Sequence, residues 1–325
     1  MNDFLDRRLF VIGAAALGAS AVLPSIVSAQ VTDARPPTVD PSNIKEIADG
    51  VFVIGDKRVW LVPNIGIVLG SDAALVIDTG LGPANGEAVL NVARRLAGSR
   101  RLFLTMTHFH PEHGYGAQVF RPDATILYNR AQRDELAEKG EKYIQLFRQT
   151  QSPAAAAALE GTKIVSPHAV YDGASTEIDL GGRKVELRTW GAAHTRGDQT
   201  IFLPQERILF AGDLIEERMF PIFPYFPPVD VDLDGIRWAN VLNDFQRLDP
   251  KVIVPGHGDL GDISIALNLA SHIETVGRQV RALRTTGTLP DKVLADLKPK
   301  IMQAYQGWDH PNLLDLEIRY FAAQA

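Results

Sequence analysis

Residues 107–113 read Thr107-His108-Phe109-His110-Pro111-Glu112-His113. Two histidines separated by one residue can aim their rings at a common point from an extended loop. A carboxylate and a third histidine follow within three positions. Nitrogen and oxygen donors at this density suit Zn²⁺, and also Fe or Mn. A polar turn with several surface histidines is the bland explanation, and it accounts poorly for such crowding. Immediately upstream, Leu102-Phe103-Leu104-Thr105-Met106 is a short apolar run, read as a buried strand that delivers the chain to His108.

The same logic extends in both directions. Upstream, Val51–Ile54 and the run Trp60 to Leu69 read as strands, and Ala73–Ile77 is an apolar run ending at Asp78. Val89, Val92, Ala93 and Leu96 fall at helical spacing, with Gly98 as a stop. Strand, helix and strand alternate, which predicts an α/β arrangement. Downstream, residues about 130 to 160 form a helical insert. Its stripe Tyr143, Leu146 and Phe147 is expected in the core, and the insert is expected over the site or at a contact between copies. Residues 163–203 read as strands with a tight turn at Gly181-Gly182. Ile208-Leu209-Phe210 is a short strand leading to Asp213, a helix covers about 232–247, and Val252-Ile253-Val254 leads into Pro255-Gly256-His257-Gly258. Beyond Asp262 the chain reads as mostly helical. Asp78, His108, Asp213 and His257 each lie just past an apolar run, and His194 follows the strand-like Val185 to Trp190. Neighbouring strands would bring these ends to one edge, where a rigid scaffold can hold a site. Small residues flank His194, Asp213 and His257, so backbone can approach closely there.

This order resembles the metallo-β-lactamase superfamily, whose pattern is an Asp after a strand, His-x-His-x-Asp-His, then a His, an Asp and a final His. Here it falls on Asp78, then His108, His110, Glu112 and His113, then His194, Asp213 and His257, spanning residues about 50 to 260. The resemblance implies a fold in the α/β (α+β) class, an αββα sandwich with metal at one edge. It implies a first metal held by His108, His110 and His194, a second held by Glu112, His113 and His257, Asp213 bridging the two, and Asp78 orienting a ligand from behind. Glu112 departs from the family's Asp. Being one methylene longer, it can ligate after adjustment or withdraw and act as a proton shuttle, so one or two Zn²⁺ ions per chain are expected. A bound metal lowers the pKa of its water to about 7 and supplies hydroxide at neutral pH. The implied activity is a metal-dependent hydrolase acting on an ester, lactone, β-lactam or related small-molecule bond, with Glu112 and Asp213 in catalytic roles. An iron-dependent oxidoreductase of the sulfur-dioxygenase kind, or a non-catalytic metal-binding protein of the envelope, are the competing readings.

Bulk properties narrow the field. The 325 residues include no cysteine, so thiolate catalysis, disulfides and Cys-based zinc sites are excluded. The formal net charge of −6, with no run of Lys or Arg, disfavours nucleic acid as a partner. Residues 1–29 read as a leader: Arg7-Arg8 precedes a mildly apolar stretch from Leu9 to Leu23, and Val27-Ser28-Ala29 supplies small residues for cleavage. The stretch is too short and interrupted for a stable membrane anchor. Arg-Arg-Leu-Phe resembles a twin-arginine signal, implying the twin-arginine export machinery as a partner and a periplasmic or secreted protein. Residues 30–45 are expected as a flexible arm and 46–325 as one domain. The proline-stiffened segment 219–228 carries Phe220, Phe223, Tyr225 and Phe226, expected either as a wall of the substrate pocket or as core packing. His168, His272 and His310 are expected to be structural or surface groups.

Overall fold

The computed structural model describes residues 35–325; the expected leader and residues 30–34 lie outside the described residues. The first sheet holds seven strands in chain order: β1 (Ile44–Ala48), β2 (Val51–Ile54), β3 (Ile65–Leu69), β4 (Ala73–Ile77), β5 (Arg101–Thr105), β6 (Ala124–Asn129) and β7 (Ala169–Tyr171). β1 to β4 pair antiparallel, and β4 to β7 run parallel. Parallel neighbours need crossovers. α1 (Gly82–Ala97) crosses from β4 to β5, α2 (Pro111–Gly114) lies between β5 and β6, and α3 (Arg130–Thr150) with α4 (Pro153–Ala158) connects β6 to β7.

The second sheet is built from β8 (Ser175–Asp179), β9 (Lys184–Thr189), β10 (Gln199–Leu203), β11 (Ile208–Glu216) and β12 (Val252–His257), in the spatial order β12-β11-β10-β9-β8. β8 to β11 pair antiparallel, whereas β11 and β12 are parallel, with α5 (Gly235–Asp244) in their crossover. Helices α6 (Ile263–Thr285), α7 (Pro290–Ala304) and α8 (Leu314–Gln324) complete the chain.

Side-chain alternation turns these elements into four layers. All five residues of β4 are buried. Ala73, Leu75 and Ile77 face the inter-sheet core with Val185, Leu187, Ile201 and Phe210. Ala74 and Val76 face the other way, onto Val89, Val92 and Ala93 of α1. In the second sheet, Ile208 and Phe210 point between the sheets, while Leu209 and Ala211 pack with Trp238 and Leu242 of α5 and Leu269 and Ile273 of α6. Both sheets are covered on both faces, which is why their central strands read as continuous apolar runs. The architecture is the expected αββα sandwich. Gly98 ends α1 with φ +61° and donates its N–H to Arg94 O at 2.9 Å, a backbone conformation that favours glycine.

Three local expectations are corrected. The run from Trp60 is not strand until Ile65. Arg58, in the left-handed region, is tied to Glu217, Asp259 and Asp309, and this draws the segment into turns. The strand of Ile208 does not stop short of Asp213 but runs through it to Glu216, its pairing with β12 shifted on either side of Gly212. Residues 37–43 of the expected arm are docked: Val39 is buried and donates its N–H to Asn85 Oδ1 at 2.8 Å, and Asn85 Nδ2 donates to Pro37 O. Among the described residues no helix is long and apolar enough to cross a membrane.

Candidate metal centre

β5 ends at Thr105, and the next residues are fixed by hydrogen bonds before the ligands begin. Gln132 Nε2 donates to Met106 O and Thr107 O, and Asp78 accepts from Thr107 N at 2.7 Å and Thr107 Oγ1 at 2.9 Å. His110 caps α2, whose Pro111 sits at the first helical position, where its missing N–H costs nothing. That single turn carries Glu112 and His113 inward, and both are buried.

Two clusters result. His108, His110, His194 and Asp213 bring one donor atom each within 4.8 Å of one another, and so do Glu112, His113, Asp213 and His257. Asp213 belongs to both. Its Oδ2 lies 3.8 Å from His108 Nε2 and 4.0 Å from His194 Nε2, whereas Oδ1 lies 3.1 Å from His113 Nε2 and 3.6 Å from His257 Nε2. The carboxylate thus faces one cluster with each oxygen. All seven residues named from the sequence converge here, and Glu112 reaches the second cluster despite its extra methylene. Glycine makes the approach possible. A Cβ on Gly256 would fall 2.0 Å from Asp213 Oδ1, and one on Gly212, at φ +55°, would fall 2.4 Å from Thr107 Cβ.

The electrostatics suit cation binding. Burial, reinforced by neighbouring imidazoles, holds His108 and His110 well below the ordinary imidazole value, and burial brings His194 down to about 4. These rings are neutral, the form that ligates metal. Burial would raise Asp213, but His113 and His257 outweigh it and keep it ionised. Burial would lower His113, but Asp213 and Asp78 outweigh that and lift it well above the usual range. The line Asp78–His113–Asp213 therefore demands positive charge at its centre. Burial raises Glu112. Both Asp213 oxygens, Glu112 Oε2, His110 Nε2, His194 Nδ1 and His257 Nε2 are buried without a hydrogen-bond partner among the described residues. So many orphaned donor atoms at one point are costly unless a cation takes them, so the residues present fit a metal.

Supporting contacts fix several of these side chains. Asp78, at φ +67°, places Oδ2 2.9 Å from His113 Nδ1 and so turns the other ring nitrogen towards Asp213. Asn64 and Asp56 grip the loop of His257: Asn64 Nδ2 donates to Pro255 O and Gly258 O, and Gly258 N donates to Asp56 Oδ2. Asp198 accepts from Thr195 N, tightening the turn after His194. From α3, Glu135 accepts from Arg196 N and Gly197 N, and Tyr143 stacks on His110 with centroids 5.1 Å apart. Lys139 joins Glu135 to Asp230 and Asp232 at 3.1, 2.8 and 2.7 Å. The Tyr143 stripe is core, as expected, and it also reaches the site. The sequence gives no sign of the Lys139 node, because Glu135 and Lys139 at i,i+4 look like an ordinary exposed helix pair.

His110 and Glu112 open onto a narrow, largely apolar cavity. The aromatic segment contributes to it differently from the pocket-wall expectation. Phe220 and Phe223 are fully buried in the helical core, Phe223 with its ring 5.2 Å from that of Trp238 and 5.6 Å from that of Phe321. Tyr225 packs edge-on against Tyr320. Phe226 lines the cavity, joined by Ile222 and Pro224. Every second residue from Ile222 to Phe226 turns to the cavity, a pattern that composition does not reveal. Trp60, Leu313 and Leu316, distant in sequence, supply further wall. The remaining histidines are structural where their partners are seen: His272 lies 2.9 Å from Glu317 Oε2, and His168 Nδ1 accepts from Ile126 N.

A family model described as the metallo-beta-lactamase superfamily matches residues 58–257, and the chain belongs to that family. Over 235 residues it is 24% identical to a "Metallo-beta-lactamase type 2" of Bacteroides fragilis, covering 68% of this chain and 81% of that one. It is 27% identical over 188 residues to "Acyl-coenzyme A thioesterase MBLAC2" of Bos taurus, covering 53% and 65% respectively. The solved structure of a metallo-beta-lactamase from Pontibacter korlensis is similar with a TM-score of 0.55 and 22% identity, covering 70% of this chain and 98% of that one.

Proposed function

We propose that this chain is a metal-dependent hydrolase of small molecules carrying an ester, thioester, lactone, β-lactam or related bond. The observation that carries this reading is the pair of buried donor clusters sharing Asp213 and opening, through His110 and Glu112, onto a cavity. A divalent metal bound there, with zinc the first choice for this donor set, would activate water and polarise the bond to be cleaved. The chain's own part is positional. Asp213 fixes the spacing of the two clusters, Asp78 holds His113 in one orientation, and the buried walls exclude bulk water. Glu112 lines the cavity with a carboxyl raised by burial, so it stands where a proton can pass to a leaving group. Membership of a family with lactamase and thioesterase relatives supports hydrolysis over the oxidoreductase and non-catalytic readings. Export by the twin-arginine route to the periplasm or beyond belongs to the same proposal and is supported by Arg7-Arg8 and the small residues before Gln30.

The test is turnover of an ester, thioester, lactone and β-lactam panel by the purified protein, loaded with zinc, stripped by chelator and reloaded. Hydrolysis that disappears with the metal and returns with it is expected. Oxygen consumption with iron and no hydrolysis with any metal would replace this reading by the oxidoreductase.

A further inference from the structure

The cavity over the clusters has a one-sided chemistry. Its walls come from four separate parts of the chain: Trp60 and Leu61 before β3, Leu146 and Phe147 on α3, Phe226 after β11, and Leu316 on α8. Among the described residues, none of the side chains lining it is a lysine or arginine, and the acid among them, Glu112, belongs to the second cluster. Tyr143 turns its ring to the cavity but commits its hydroxyl to Asp230 Oδ2 at 2.7 Å. At the rim, Trp60 Nε1 donates to Gln151 Oε1 at 3.0 Å, joining the loop before β3 to the end of α3. Leu61, Leu146 and Phe147 are buried in the fold, so the apolar wall is in place before any ligand arrives.

We propose that this slot receives the apolar arm of the substrate, making the enzyme selective for esters and thioesters with a neutral hydrocarbon arm. The inference rests on the hydrolase reading and narrows it. A hydrocarbon gains free energy for each methylene removed from water. A second anionic group, remote from the bond being cleaved, would be desolvated against leucine and phenylalanine with no cation to pair it, which is strongly unfavourable. Carboxylate-bearing β-lactams are accordingly poor substrates. In the reaction, the acyl C–O or C–S bond breaks and water supplies the oxygen of the new C–O bond. One proton of that water goes to the leaving oxygen or sulfur, and the carboxylic acid formed releases its own to solvent.

Two measurements on the full-length mature protein test the slot. The first is binding of a neutral apolar dye, N-phenyl-1-naphthylamine, to both metal-free and metal-loaded protein, with displacement by 1-decanol. Saturable fluorescence enhancement, displaced by decanol and weakened at least tenfold in Leu316→Glu, is expected. The second is kcat/KM over p-nitrophenyl esters from acetate to decanoate. At about 0.8 kcal/mol per buried methylene it should rise roughly fourfold per methylene until the slot is filled, then level off. Phe147→Trp, which fills the slot with another apolar group, should move that plateau to shorter chains, and it serves if Leu316→Glu does not fold. A flat series from an active enzyme, or dye that does not bind, overturns the slot and leaves hydrolysis standing. Dye binding without turnover of any ester overturns the hydrolase reading and leaves an apolar binding site.

Discussion

Two buried polar regions lie side by side in this protein, and they are built on opposite principles. Around Lys139, an ammonium and two carboxylates, Glu135 and Asp230, are drawn out of water with Asp232 half-buried beside them, yet the ammonium meets all three, and Asp230 also takes the Tyr143 hydroxyl. Around Asp213, carboxylates and imidazoles are just as buried and face one another as charges, yet both Asp213 oxygens and several ring nitrogens make no hydrogen bond to the described residues. The first region answers its own charges and acts as scaffold. The second concentrates donors on one point and calls for a cation from outside. Burial and charge alone do not separate a structural cluster from a functional one; the pattern of satisfaction does.

The comparison can be broken in order of effect. Asp213→Ala removes a donor from both clusters, and kcat/KM should fall on the order of 10⁴-fold or more, with metal content falling in parallel. Unchanged metal content would show that the two clusters do not share this residue. Acid acts next. In the metal-free protein, unfolded imidazoles take up protons below about pH 6.5, whereas His194 in the fold resists protonation until about 4, and His108 and His110 also lie well below their ordinary value. At these three rings the unfolded state therefore binds more protons in this window, and their contribution to stability is lost as pH drops from about 6.5 towards 4. His113, raised well above its usual value, is protonated in the fold throughout this window and gains its stabilisation above it, whereas carboxyls that burial raises, Glu135 to about 7 and Asp198 and Glu216 well upward, take up protons in the fold and offset part of the loss. Urea midpoints across that range, compared between the native protein and His194→Gln, isolate a ring's share; the variant's profile should fall less steeply towards pH 4, and an identical slope would remove the case for a neutral His194.

Lys139→Met sharpens the other side. It leaves buried carboxylates unpaired and should cost about 3 kcal/mol, towards the lower end for a broken buried pair because Asp232 is partly exposed. The folded fraction should keep its metal content, a split between stability and binding that Asp213→Ala reverses. The smallest expected effect is at Asp78→Asn. Losing the charge behind His113 should weaken metal binding in the second cluster by roughly 10- to 100-fold, measured by chelator competition, with less change in the first.

Much of the second region was legible in the sequence because its donors are local. His108, His110, Glu112 and His113 announce themselves within one loop, and the small residues beside Asp213 and His257 proved to be places where a Cβ would collide with the site. The α/β class was legible in the succession of strand and helix and the four layers in the family resemblance, and the continuous apolar runs of β4 and β11 fit strands that bury both faces. The scaffold around Lys139 was not. Its partners lie on α3 and on a loop some ninety positions later, and nothing in a polar helix marks one lysine as buried. The aromatic run was legible as rigid and apolar but not as to which rings turn inward, because Phe220 and Phe223 are claimed by the C-terminal helices while Phe226 faces the cavity. Trp60 was misplaced in a strand because the ion pairs that bend its loop span up to 251 positions.

The claim most exposed to test is that Glu112, one methylene longer than the family's Asp, completes a second metal position beside the first. Elemental mass spectrometry of the zinc-reconstituted protein measures it directly, alongside Glu112→Ala. Two zinc ions per chain in the native protein and one in the variant are the predicted results, following from the two clusters that share Asp213. One ion in both would contradict the account and leave Glu112 as a proton-carrying group beside a single metal.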